Sequence, residues 1–90
     1  MTAPDNKTLL EFPCRYSVKA FGADETGFEQ LVYRIVKAHA PELTPDSVRS
    51  RQSSGGRFLA VTATFQATSK AQLDAIYHDL SADDRVVMSL

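Results

Sequence analysis

Cys14 and His39 are the two side chains whose types could make a nucleophile and its base. A thiolate helped by an imidazole needs the two within hydrogen-bond reach of each other. Both fall in apolar phase, however. Cys14 alternates with polar residues in a strand-like run, where cysteine behaves as a small hydrophobe. His39 closes a helical apolar stripe, and a charged imidazole in a last helical turn is favoured by the helix dipole. The other histidine, His78, belongs to a different helix. There is no H-x-x-x-H and no C-x-x-C spacing, so no metal site and no cofactor motif is read, and no residue is assigned a catalytic role. Ser53-Ser54-Gly55-Gly56, beside Arg51 and Arg57, has the composition of an anion-holding backbone nest. It lacks the length and the lysine of a phosphate loop. A hairpin turn in which glycine supplies positive φ is the better reading. Asp83-Asp84 likewise reads as turn chemistry.

The distribution of charge carries more. The net charge of the 90 residues is −1, which points to neither nucleic acid nor membrane. Yet Arg15, Lys19, Arg49, Arg51, Arg57 and Arg85 all fall in or beside expected strands, and those strands hold a single acid, Asp46, at the start of the weak second one. The acids Asp24, Glu25, Glu29, Asp74, Asp79, Asp83 and Asp84 gather on helices and loops. Arg15 and Lys19 share the wet face of the first strand. Arg49 and Arg51 join them if Val48 points inward. With Ser17, Thr62, Thr64 and the flanking Arg57 they define an expected face for a partner or ligand. Charges on an edge strand also deter aggregation, so the patch has a plain structural use as well.

The elements that must position these residues follow from periodicity. Residues 1–8 are polar and aperiodic and read as a disordered tail ahead of a single domain over 9–90. Phe12 to Phe21 alternates as a strand, with Gly22 ending the run. Thr26 and Glu29 form a T-x-x-E capping box. Phe28, Leu31, Val32, Ile35, Val36 and His39 then make one helical stripe, which Pro41 stops. Pro45 to Ser53 is a weak strand and Arg57 to Ala67 a strong one. Ser69 and Gln72 form a second capping box ahead of Leu73, Ile76, Tyr77 and Leu80. Val86 to Leu90 is a last strand. The order β-α-β-β-α-β, with right-handed crossovers, predicts an α+β ferredoxin-like split βαβ sandwich. Its antiparallel sheet has strand order 4-1-3-2, with both helices on one face and the other face bare.

Several of these pieces, Leu9-Leu10-Glu11-Phe12-Pro13, His39-Ala40-Pro41, Ser53-Ser54-x-Gly56, Ile76-Tyr77-x-x-Leu80 and Val87-Met88-x-Leu90, together resemble the YbeD family of small bacterial proteins. The resemblance runs over nearly the whole chain from Leu9. It implies a ferredoxin-like fold similar to the ACT regulatory domains, and a regulatory setting near lipoate-attachment genes. It carries over no catalytic residue, and Cys14 lies outside the shared pattern.

The sequence thus predicts a non-enzymatic regulatory or adaptor module. It would bind a protein partner, or a second copy of itself, through the open sheet face or an edge strand. The alternative is an ACT-like sensor of a small, anionic metabolite, with a link to lipoate metabolism. Nucleic acid is a minor alternative, because Phe58 is the single aromatic expected on the wet side of the central strands. The lone cysteine, a first segment without an apolar core and the lack of any long apolar run place the protein in the cytoplasm, with no membrane partner.

Overall fold

The structure is a computed structural model that describes residues 11–53 and 55–90. The expected tail, Leu9 and Leu10 of the family-like pieces, and Ser54 of the turn lie outside those residues. The elements are β1 (Cys14–Ala23), α1 (Phe28–His39), a short 3-10 turn (Pro45–Ser47), β2 (Val48–Gln52), β3 (Phe58–Ala67), α2 (Lys70–Ala82) and β4 (Val86–Ser89). The strands form one sheet in the order β2-β3-β1-β4, every neighbouring pair antiparallel. This is the predicted ferredoxin-like arrangement.

Alternation in the two central strands decides the layers. Val18 and Ala20 of β1, and Val61, Ala63, Phe65 and Ala67 of β3, are buried on one side. Phe28, Leu31, Val32 and Val36 of α1 and Leu73, Ile76 and Leu80 of α2 cover them. Each such large side chain contributes about 1.5–3 kcal/mol by leaving water. Ala40 and Leu43, just past α1, complete the core. Tyr16 and Tyr77 bring their hydroxyls within 3.2 Å where β1 faces α2. Burial and the Tyr16 hydroxyl push the Tyr77 phenol well above its usual range.

The helix starts differ from the sequence reading. Thr26 does not cap α1, and no side chain does. The helix begins one residue later, after Gly27 at φ 92°, a left-handed conformation that glycine adopts without strain. At α2 the expected Ser69 cap forms, with Gln72 N–H donating to Ser69 Oγ at 3.1 Å. The reciprocal half is redirected. Gln72 Oε1 accepts from the Thr68 N–H at 2.8 Å, and Gln72 Nε2 donates to the His39 carbonyl at 2.7 Å. The cap therefore also ties the start of α2 to the end of α1. At that end Lys37 Nζ donates to the carbonyls of Pro41 and Leu43 at 2.9 and 2.8 Å, satisfying acceptors beyond the last turn.

Strand β1 does not stop at Gly22. It runs on to Ala23, and the pairing with β4 shifts register between Phe21 and Gly22. Gly22 is there because space is missing. A Cβ on it would lie 2.5 Å from the Arg85 carbonyl oxygen and 2.5 Å from the Phe28 ring. The glycine lets the first residue of α1 and the entry to β4 close over the same point of β1. The Gly22→Ala variant is expected to lose about 1–3 kcal/mol by overpacking, read as a lower urea midpoint with an unchanged slope.

Candidate functional site

The open face is built by the same alternation read from the other side. In β1 the outward residues are Arg15, Ser17, Lys19 and Phe21; in β3 they are Phe58, Ala60, Thr62, Thr64 and Gln66. Val48 is buried, which turns Arg49 and Arg51 outward beside Thr62 and Ala60. The last strand joins through Met88, opposite Phe21, and through Leu90, whose N–H and C=O bond Lys19 at 2.8 and 2.9 Å.

The registers therefore set four rows across the face. Leu90, Lys19, Thr62 and Arg49 form one, and Met88, Phe21, Ala60 and Arg51 the next. Ser17 faces Thr64 and Arg15 faces Gln66. Ser17 and Thr64 share a hydrogen bond at 2.9 Å. Rows lie about 7 Å apart along a strand, and neighbouring strands about 4.8 Å apart. The Lys19 and Arg49 backbones thus stand roughly 10 Å apart with Thr62 between them.

Seven of the eight residues expected to form the face come together on it. The eighth, Arg57, does not. It sits in the hairpin before β3, out of phase with the face, and its carbonyl accepts from the Asp24 N–H at 3.0 Å. Among the described residues none of Arg15, Lys19, Arg49 and Arg51 has an ion-pair partner. The strands that carry them hold no carboxylate. The relief follows side-chain size. Small Ala60 and Thr62 floor a hollow of about 400 Å³ walled by Lys19, Arg49 and Arg51. Phe21 and Phe58, with Arg51 and Gln52, line a smaller apolar hollow of about 160 Å³ next to it.

Phe21 was not anticipated here. It closes the expected strand in the outward phase of Arg15, Ser17 and Lys19, and pairing sets it opposite Met88 and diagonal to Phe58. The face is therefore basic along β2 and part of β1, and apolar at one corner. Phe58, Met88 and Leu90 are 47, 50 and 62% exposed.

The other candidate groups fall elsewhere. Cys14 is half-buried on the core side of β1, and no hydrogen bond joins it to His39. The imidazole is committed to α2 instead, with His39 Nε2 donating to Asp79 Oδ2 at 2.6 Å. His78 Nδ1 lies 3.5 Å from the other oxygen of Asp79. Nothing in the spacing of single residues announced this contact; it arises from two helices packing side by side. The described residues of the turn, 53 and 55–58, bond to one another. The Gly56 N–H donates to the Ser53 carbonyl and the Phe58 N–H to Ser53 Oγ, at 2.9 and 3.2 Å, which removes donors a nest would need. Asp83 turns the chain into β4 by accepting the Arg85 N–H at 2.9 Å. Among the described residues no group of three or more His, Cys, Asp or Glu could hold a metal ion. No helix there is long and apolar enough to cross a membrane, which says nothing of β-barrels.

Hydrogen bonds from His39 and then His78 hold the Asp79 carboxyl below the usual carboxylate range. A carboxyl lowered in the folded state adds stability above its unfolded pKa, and that share is lost as pH falls through the folded value. The Asp79→Asn variant is therefore expected to be less stable than the parent at neutral pH. Urea titrations should show the gap closing progressively below about pH 4.

Residues 7–90 match the family model described as "Protein of unknown function (DUF493)". The chain is 43% identical over 86 residues to a UPF0250 protein of Chromobacterium violaceum, covering 96% of this chain and 97% of that protein. It is 46% identical over 82 residues to a UPF0250 protein of Pseudomonas paraeruginosa, covering 90% and 88%. The solution structure of protein HP0495 from H. pylori superposes with a TM-score of 0.73 at 13% identity, over 100% of this chain and 97% of that one. That likeness speaks to fold alone.

Proposed function

Because the chain belongs to the DUF493 family, whose description assigns no chemistry, we propose its role from its surface: a non-enzymatic adaptor or regulatory module of the cytoplasm that docks a protein partner on the open sheet face. The observation that carries this reading is the set of four cations with no ion-pair partner among the described residues, held in register on a face whose strands contain no carboxylate. Cations gathered at nearest-neighbour backbone spacings of roughly 7–14 Å repel one another. An acidic partner surface relieves that repulsion and is steered toward the face. The small floor residues Ser17, Ala60, Thr62 and Thr64 allow close approach. The exposed Phe58, Met88 and Leu90 supply the apolar area that gives a docking surface affinity as well as direction. A free thiol at Cys14 fits a reducing compartment.

A second reading, a small-metabolite sensor, draws on one feature. A polar hollow of about 200 Å³ at the far end of the face is lined by Arg15, Glu42, Ser47, Thr64 and Gln66. Its volume suits a small anion. A ligand held there would raise the melting temperature. Thermal scans with lipoate, octanoate and amino acids are expected to show no shift if the face serves a protein, and a saturable shift would favour the sensor.

The docking reading is tested by capture from nuclease-treated native lysate on the parent chain and on the triple variant Arg15→Glu, Lys19→Glu, Arg49→Glu. All three positions are exposed, so the variant is expected to keep a cooperative thermal transition. A protein retained by the parent, released by salt and absent from the variant is the expected result. Equal capture by both would overturn the assignment of this face.

A further inference from the structure

Resting on the docking reading, we infer that the partner presents an extended acidic segment with one apolar anchor, lying along β3 with the anchor in the hollow between Phe21 and Phe58. Three observations fix these features. The first is charge on both flanks. At the level of Thr62 the floor lies between Lys19 on β1 and Arg49 on β2. An extended chain throws successive side chains to opposite sides, so adjacent carboxylates would meet the two cations in turn. A helix lying there would present one stripe and satisfy one wall.

The second observation is the floor itself. Ser17, Thr62 and Thr64 are hydroxyl residues on the open side. Hydroxyls both donate and accept, so they suit a backbone whose N–H and C=O groups are free. A helix has already spent those groups internally. The third is the size of the apolar hollow. About 160 Å³, bounded by Phe21, Phe58, Arg51, Gln52 and Ala60, admits a single aliphatic or aromatic side chain and not a helix face.

The spacing follows. The hollow lies one to two rows from the Lys19–Arg49 level, about 7–14 Å at 3.4 Å per residue. The carboxylates therefore sit two to four residues from the anchor. Arg15, two further rows along, would take an acid about four residues beyond those.

The test uses the intact chain and four fluorescent probes followed by anisotropy at low salt. The first is a nine-residue peptide that begins with leucine and carries glutamates three, four and eight positions after it, the remainder serine. The second has glutamine for every glutamate. The third has glycine for leucine. The fourth is an eight-nucleotide oligouridine. The first peptide is expected to bind, with affinity falling about tenfold or more when the charges or the anchor are removed. It is also expected to bind Phe58→Ala and Lys19→Glu more weakly by similar factors, while both variants keep the parent's thermal transition. Loss of binding in Phe58→Ala with Lys19→Glu unaffected, or the reverse, would overturn the two-part recognition. Equal binding of the first and third peptides would overturn the anchor. Tighter binding of oligouridine would overturn a peptide partner in favour of a nucleic-acid face. If no peptide binds while lysate capture still depends on Arg15, Lys19 and Arg49, the segment is wrong and the docking face stands. If capture is also independent of those residues, both fail.

Discussion

The structure hangs on one constraint, the ten-residue antiparallel pairing of β1 with β3. Side chains along a strand alternate strictly, so a slip of one residue would exchange every inward side chain for an outward one. With Val18 against Ala63 and Ala20 against Val61 on the core side, Lys19 must lie beside Thr62 and Ser17 beside Thr64 on the other. The burial of the apolar side, worth far more than any exposed charge contact, is what holds four cations together on the open side. The candidate site is thus positioned by the core rather than by any interaction within itself.

Charge is divided between the two layers. The helical layer mixes both signs and pairs several of them locally. Lys70 pairs with Asp74 one turn along at 3.0 Å, and His39 and His78 address Asp79. The Gln72 side chain and the His39–Asp79 contact clamp the two helices near one end. Among the described residues no ion pair occurs on the sheet face. A solvated face needs polarity, but it does not need one sign of charge without partners, and that imbalance separates this surface from an ordinary wet one.

Much of this was legible in the residues because both central strands have an unbroken period of two. Phe12 to Phe21 and Arg57 to Ala67 state which side is which, and the βαββαβ order with right-handed crossovers leaves one sheet arrangement. The second strand was harder. With Val48 as its single clear apolar residue, its phase could be set only conditionally, and pairing with β3 decides it. Gly22 misled because glycine ordinarily breaks a strand. Here it admits the Phe28 ring and a register shift in the pairing with β4, and the strand continues past it to Ala23. The Thr26 box failed because Gly27 offered a left-handed residue that local pattern does not reveal. The His39–Asp79 contact, 40 residues apart in the chain, has no local signal at all.

The central claim is that the open face, and not the helical layer, is where the protein meets its partner. Backbone amide shifts recorded by NMR while the partner captured from lysate is titrated in test this residue by residue. The largest perturbations are predicted at Ser17, Lys19, Phe21, Arg49, Arg51 and Thr62, with α1 and α2 little changed. Perturbations centred on the outer surfaces of α1 and α2, with those six amides unmoved, would contradict the account.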